Sequence, residues 1–445
     1  MKRCLSLLLT VILLFSLCTH ASAAGTDIKS GAFYYQIKGN GTAVITGYDY
    51  RNHKGEDIYI PRMLDGYTVT EIGDEAFTQL QYDKNGVISH FTHLKVGSLT
   101  IPDTIVSIGA RAFMGLEFSS KSITIPASVQ YIGPGAFSYL GNVEQFVVAN
   151  GNSVYATIDG ILYNKVQKTL VAMPDLVSLD VLVIPEGIKA IDDYAFFGRW
   201  NGQWEVPFIC LPSTLERIGD YAFAYAKMHI SKIVNGRSTS RGYVPPSLKE
   251  LGVGAFYNLQ SFLTLHLDNT MITEIPAYTF YSVSSTDFTL PKNLEQIGPH
   301  AFEEAAISND FVWPASLQEI DDYAFYDADL EACSLLEARS LTRIGDYAFA
   351  ILCIDGSNLS FALPQGLEEI GDYAFAPYTG TNSVYLKRRI VAINIPASVI
   401  SIGKDICDKY NVTVSVEPGT YGAMYASENG YNTQGAGNED TSWLN

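Results

Sequence analysis

One short phrase is written twelve times between Phe77 and Cys407, at its clearest as Leu-Glu-Arg-Ile-Gly-Asp-Tyr-Ala-Phe over Leu215–Phe223. A chain that repeats itself at a near-constant spacing describes a stack of equivalent turns. The phrase closes at Phe77, Phe113, Phe137, Phe196, Phe223, Phe256, Phe280, Phe302, Phe325, Phe349, Phe375 and, degraded, at Cys407. Successive steps are 36, 24, 59, 27, 33, 24, 22, 23, 24, 26 and 32 residues, around an underlying period of about 23.

Spacing inside the phrase is stricter than the period. A proline stands eleven residues before the closing position in nine units (Pro102, Pro126, Pro185, Pro212, Pro245, Pro291, Pro314, Pro364 and Pro396), and the first unit starts earlier, at Pro61. In those nine units a branched aliphatic follows three residues after the proline and another after six, as in Leu215 and Ile218. A glycine recurs four residues before the closing position, from Gly73 to Gly403, where a corner needing positive φ would select it. Alanine occupies the place just before the closing residue in ten of twelve units, which predicts that a large side chain is excluded there.

A unit of about 23 residues cannot bury enough apolar surface to fold alone, but stacked copies place each Ile, Leu, Ala and Phe on its equivalent and build one continuous core. Short strand-like runs such as Ser122–Ile125 and Phe208–Leu211 precede the prolines, which lack a backbone donor and end the ladder. The expected fold is a solenoid, mainly short β-strands with brief helical or 3-10 turns, about twelve repeats forming a curved right-handed rod. With strands about 4.8 Å apart it is on the order of 50 to 60 Å long.

Lys2 and Arg3, an apolar run over Leu5–Leu17 and Ala21-Ser22-Ala23 form the three-part pattern of a cleaved secretory signal, with cleavage expected after Ala23. A lipid-anchored start at Cys18 is disfavoured by the bulky Leu17 before it. Cleavage takes Lys2 and Arg3 away and moves the net charge from -18 to -20, which argues against nucleic acid as a partner. Four cysteines remain, Cys210, Cys333, Cys353 and Cys407, with no zinc spacing. They read as buried apolar residues, and Cys333 with Cys353 is the pair to test as a disulfide. No later apolar run reaches the roughly 20 residues of a membrane span, and the tail after Gly430 carries no wall-sorting signal.

Asp74, Asp193, Asp220, Asp322, Asp346 and Asp372 recur three residues before the closing position, and Tyr194, Tyr221, Tyr278, Tyr323, Tyr347 and Tyr373 follow them. The aspartates are expected to cap short helical turns rather than bind calcium, which needs six to eight converging oxygens. The tyrosines are expected to pack at the repeat corner, with stacking on sugars as the alternative. The seven histidines are scattered and no nucleophile motif or phosphate loop is present, so no catalytic residue, cofactor or metal is expected.

The phrase Ile-Pro-x-Ser-Val-x-x-Ile-Gly-x-x-Ala-Phe, over Ile125–Phe137 and echoed at Ile395–Gly403, resembles the BspA-like class of bacterial leucine-rich repeats. That resemblance implies a leucine-rich repeat solenoid covering nearly the whole mature chain. It divides the chain into a signal peptide (1–23), an N-terminal capping hairpin (24–57), repeats (58–410) with a hairpin insertion at about 150–178, a C-terminal cap (411–431) and a flexible tail (432–445). It also implies a secreted or cell-surface protein that binds extracellular or host proteins, with a glycan-binding accessory role or a structural surface scaffold as alternatives, and no enzymatic activity.

Specificity in a solenoid is expected where the units differ, because the repeated positions are committed to packing. The 27-residue step carries Phe197–Val206, with Arg199, Trp200 and Trp204, residue types that often anchor interfaces. The 33-residue step carries Ala226–Tyr243, where Lys227, Lys232, Arg237 and Arg241 occur without an acid. Arg199, Trp200, Trp204, Lys232, Arg237 and Arg241 are therefore the candidate ligand-binding residues, and Lys387-Arg388-Arg389 is a shorter basic cluster.

Overall fold

In a computed structural model the chain is a β-solenoid of about 14 turns of roughly 23 residues. The structure describes residues 26–435 except 54, 79–80, 83–87, 91–93, 176–180, 199–205, 235–236, 260–262, 308–311, 331–333, 352, 355–358 and 378–389. The expected signal peptide, Cys333 and the Lys387-Arg388-Arg389 cluster lie outside the described residues.

From Ser107–Ile108 onward each repeat phrase contributes a two-residue strand ending at its second aliphatic. Glu274–Ile275 pairs in parallel with Gln296–Ile297, and the ladder continues through Glu319–Ile320, Arg343–Ile344 and Glu369–Ile370 to Ser401–Ile402. Alternation of side chains across a strand turns the isoleucines inward and the polar neighbours outward. The other aliphatic column, Ile105, Val129, Leu215, Leu248, Leu294, Leu317, Leu367 and Val399, is fully buried. Beside it the Ser or Thr two residues after the proline forms a rung to the preceding coil at Ser128, Thr214, Ser247, Ser316 and Ser398, though not at Thr104. Ser128 Oγ donates to Ile105 O (2.6 Å), Ser316 to Leu294 O (2.7 Å) and Ser398 to Leu367 O (2.6 Å). Carbonyls in so short a ladder would otherwise face solvent or apolar neighbours, and the hydroxyls satisfy them.

The closing phenylalanines form a stacked spine. Phe302, Phe325, Phe349 and Phe375 lie 5.0, 5.1 and 5.6 Å apart with ring planes within 3°. Offset stacking at this separation is the arrangement aromatic quadrupoles favour. The alanines before them are buried throughout, as the pattern predicts. At Phe137 the spine turns aside to meet Phe146 edge-on, and stacking resumes with Phe196–Phe223.

Two local expectations are corrected by the corner. Glycines four residues before the closing position are absent from the left-handed region; that conformation falls two residues later, on Tyr194, Tyr221, Tyr278, Tyr323, Tyr347 and Tyr373, with φ from 50° to 60°. The glycines are required by close approach instead. A Cβ on Gly345 would lie 2.4 Å from Asp322 Oδ1 and 2.5 Å from its backbone nitrogen. The aspartates do accept backbone N–H groups, but from the next coil and not from a helical turn of their own. Asp322 Oδ1 accepts from Asp346 N (2.8 Å), Asp346 from Asp372 N (2.7 Å) and Asp372 from Lys404 N (2.8 Å). The corners are hydrogen-bonded turns. The described α-helix, Tyr421–Asn429, lies near the C-terminus, N-capped by Thr420 and closed by Gly430 at φ 72°.

The 59-residue step contains three antiparallel strands, Tyr155–Ile158, Ile161–Asn164 and Thr169–Ala172, the last pairing in parallel with Ala190–Ile191. The second and third are buried on both faces. Alternation sends Leu162 and Val171 into the N-terminal core, and Ile161, Tyr163 and Leu170 into the C-terminal one. The inserted sheet is therefore a partition between two hydrophobic spines. It is tied to the coil before it by side chains: the Tyr155 phenol oxygen accepts from Ile132 N (2.7 Å), and Asn152 Nδ2 donates to Pro126 O and Val129 O.

At the N-terminal end Ile28–Ser30, Phe33–Ile37 and Thr42–Tyr48 are antiparallel, and Thr42–Tyr48 pairs in parallel with the first coil strand, Tyr67–Ile72. At the other end Asn432–Gly435 adds a strand beside Thr413–Val416. The segment expected as a flexible tail from residue 432 thus begins with ordered pairing. Its backbone donors and acceptors prolong the ladder of the last coil. No helix among the described residues is long and apolar enough to cross a membrane.

Candidate functional site

The corner segments stack into a face of their own, and its chemistry follows from the backbone. Left-handed residues two before and two after the closing position turn their N–H groups toward the next coil, as in Tyr323 N to Asp346 O (2.8 Å) and Asp327 N to Ala350 O (3.0 Å). A non-glycine residue in this conformation costs roughly 1 kcal/mol. Stacking offsets that cost. Rings of Tyr278, His300, Tyr323, Tyr347 and Tyr373 follow one another at 4.7, 5.0, 4.8 and 4.9 Å. All five are half-buried. His300 Nδ1 also contacts Glu303 Oε2.

A second aromatic row lies one or two residues after the closing position. Tyr257 stacks on Tyr281 at 4.6 Å, and Tyr225, Phe197 and Tyr139 continue it at 5.4, 5.7 and 6.2 Å. Phe197 is buried, together with Met114 and Ala224, beneath Tyr139, Tyr194, Tyr221, Tyr225 and Tyr257. Burial pushes the Tyr139 phenol up to about 12 and those of Tyr221, Tyr257 and Tyr281 higher still. These phenols stay protonated near neutrality. The sequence reading missed this second row. Its signal was the Tyr recurring just after the closing Phe at residues 225, 257, 281 and 326.

Both variable segments arise from this patch. Gly198, at φ 71°, directly follows Phe197 and precedes residues 199–205, which include Arg199, Trp200 and Trp204 and lie outside the described residues. Three residues after Tyr225, the 33-residue step leaves as an antiparallel hairpin, Met228–Val234 with Arg237–Arg241. Lys232 is paired with Ser240, Arg241 with Ser231 and Arg237 with Val234. Candidate residues far apart in sequence are thus carried by segments whose roots, Phe197 and Tyr225, pack ring to ring.

The aspartate column supplies no metal centre. Each carboxylate is spent on a backbone donor, and Asp193 also lies 2.6 Å from Arg217 Nη2. Arg343 gathers Glu319, Asp321 (3.1 Å) and Asp322 (3.3 Å); burial works against its charge, and these acids more than offset it. Among the described residues no group of three or more His, Cys, Asp or Glu could hold a metal ion. Cys210 and Cys407 are buried, and desolvation pushes the Cys407 thiol up to about 12, which keeps it inert.

The residues 88–168, 175–272 and 238–355 match the family described as BspA type leucine rich repeat region, in six copies. A solved leucine-rich repeat protein from Eubacterium ventriosum is 17% identical, with a TM-score of 0.45, covering 75% of this chain and 97% of its own. A leucine rich cell surface protein from Faecalibacterium prausnitzii is 17% identical, with a TM-score of 0.41, covering 95% and 98%. No curated protein matches the chain. The matched repeats cover more than half of the sequence, and the chain belongs to the BspA-type leucine-rich repeat family.

Proposed function

We propose that this is an exported protein-recognition solenoid that binds an extracellular or host protein through the loop 199–205 and the hairpin 228–241. The observation that supports the reading is the contact between the residues from which the two segments depart: the rings of Phe197 and Tyr225 lie 5.7 Å apart in one aromatic cluster. A rigid base beneath two non-repeated segments is how a repeat scaffold acquires specificity. The signal-like N-terminus supports export. A glycan-binding role through the tyrosine column is disfavoured, because rings stacked at 4.7 to 5.0 Å cover one another's faces, the surfaces a sugar would need.

The test is a binding screen of residues 24–445 against extracellular matrix proteins and glycans at physiological salt. A protein ligand is expected, lost in Trp200→Ala/Trp204→Ala or in Lys232→Ala/Arg237→Ala/Arg241→Ala. Undiminished binding by both variants would reject these segments as the site, and glycan hits alone would reject protein recognition.

A further inference from the structure

Neighbouring coils are held by strand ladders, by the stack of closing rings and by backbone bonds along the corner. Where the ladder alone is interrupted, the others persist. Glu250–Leu251 closes one sheet and Glu274–Ile275 opens the next, yet Phe256 N donates to Thr279 O (2.9 Å) and the rings of Phe256 and Phe280 stack at 5.4 Å. At the 59-residue step all three change together. Tyr131–Ile132 closes the N-terminal sheet, and the following sheet opens on the inserted strand Tyr155–Ile158. Ring stacking runs through Phe77, Phe113 and Phe137 and then turns edge-on to Phe146. Along the corner, Phe196 N donates to Ala222 O and Phe223 N to Ala255 O, but the donor to Ala195 O is Met173 N of the insertion (3.1 Å), where the pattern would have Phe137 N.

The insertion is itself divided between the two sides. Phe146 N donates to Gly160 O (2.8 Å) and Ile132 N to the Tyr155 phenol (2.7 Å), which ties Tyr155–Ile158 to the coil before it. Beyond the turn, Lys189 N and Asp192 N donate to Lys168 O (2.8 Å) and Leu170 O (2.9 Å), so Thr169–Ala172 is the first rung of the coils that follow. The ladder that joins the sides is the short antiparallel pairing of Tyr155–Ile158 with Ile161–Asn164. Side chains add Leu162, Val171 and Ala172 packed in the N-terminal core, and a corner cluster in which Met114 and Tyr139 meet Phe197. Ser138 Oγ also donates to Tyr194 O (2.7 Å). Cohesion in a stack passes only from neighbour to neighbour, and a weakened interface divides the array into units that unfold separately.

We propose that the inserted sheet is a conformational joint, and that the coils up to Ile158 and those from Ile161 onward fold and open as two cooperative units. The N-terminal unit is the less stable. It holds three closing phenylalanines, Phe77, Phe113 and Phe137, against eight and Cys407 beyond the joint, and a shorter array collects fewer interface contributions. The N-terminal coils therefore open while the stacked spine from Phe302 to Phe375 stays folded. The joint does not depend on what the solenoid binds, and stands apart from the recognition reading.

The experiment is urea denaturation of residues 24–445 followed by tryptophan fluorescence and by far-ultraviolet circular dichroism. The four tryptophans, Trp200, Trp204, Trp313 and Trp443, all follow the joint in sequence, and Trp313 packs edge-on to Phe325 at 5.6 Å in the C-terminal spine. Fluorescence therefore reports one unit and dichroism both. Dichroism is expected to show an earlier phase that fluorescence lacks. Phe113→Ala is expected to lower the midpoint of that phase by about 1 M urea or more and to leave the fluorescence midpoint in place, while Phe349→Ala does the reverse. Where Phe113→Ala abolishes the early phase outright, the milder Ile108→Val supplies a graded shift, again with the fluorescence midpoint in place. A fluorescence midpoint that falls together with the dichroism in either N-terminal variant would make the chain one cooperative unit and overturn the proposal. Curves from the two probes that coincide in wild type and in both N-terminal variants would overturn it equally.

Discussion

Asp193 Oδ1 accepts the backbone N–H of Asp220 at 2.9 Å, one coil further along, while Arg217 Nη2 lies 2.6 Å from the same oxygen. Asp220 repeats the relationship with Val253 N at 2.9 Å. A side chain that looks like a local cap is thus a rung between coils.

Removing a rung leaves a half-buried backbone donor without its acceptor. Asp346→Ala is expected to destabilise by about 1–3 kcal/mol, and Asp346→Asn, which keeps an acceptor oxygen, by less. Chemical denaturation of the two variants checks the order, and equal losses would point to charge rather than to the bond.

The exchange of roles between Gly and Tyr at the corner makes a paired prediction. Gly345→Ala places a Cβ against Asp322 and is expected to cost about 1–3 kcal/mol through overpacking. Tyr347→Gly relieves a left-handed residue while losing a stacked ring, and is expected to stay within about 1 kcal/mol of wild type. Thermal melts giving the reverse order would place the positive φ on the glycine.

Asp192 carries the pH dependence of the partition. Burial, and then Asp193, raise its carboxyl from 3.8 to about 6, with Arg217 acting in the opposite sense. A group that holds its proton more tightly when folded stabilises the fold at low pH; that contribution fades as the pH rises from about 4 through 6. Asp192→Asn is expected to be more stable than wild type at pH 7, by on the order of 1–3 kcal/mol, and to lose most of that advantage at pH 4. Melting temperatures across this range decide it, and a pH-independent difference would remove the titration from the account.

Tyr155 tests the seam between the inserted sheet and the coil before it. Tyr155→Phe removes the acceptor of Ile132 N while keeping the ring, and is expected to cost about 1–3 kcal/mol. Hydrogen exchange is expected to show the loss at the Ile132 amide, whereas unchanged protection there would mean that the bond does not hold the seam.

Phe325→Ala opens the spine between Phe302 and Phe349 and is expected to cost about 3–5 kcal/mol, destabilising the neighbouring coils with it. The exposed Lys292→Ala is expected to remain within about 0.5 kcal/mol. Denaturation curves of equal midpoint would remove Phe325 from the core.

The repeat made the solenoid legible, because burial in a stack depends only on which position of the period a residue occupies. Ile297, Ile320 and Ile344 were readable as core for that reason, as were the alanines before each closing Phe. The tyrosine column at the corner was readable too, but the hairpin roots and the second aromatic row were not. Phe197 and Tyr225, or Tyr257 and Tyr281, meet only because coils more than 20 residues apart lie side by side.

The period, the buried columns, the family and the places where the regular coil is interrupted all follow from residue spacing along the chain. That a column of glycines answers to close approach, that tyrosines carry the left-handed backbone and that aspartates bond across coils emerged only once the coils were stacked in space. A glycine is selected alike by positive φ and by lack of room for a Cβ, and an aspartate accepts a backbone N–H from its own turn or from another. Spacing along the chain is the same in either case, and only the position of the neighbouring coil distinguishes them.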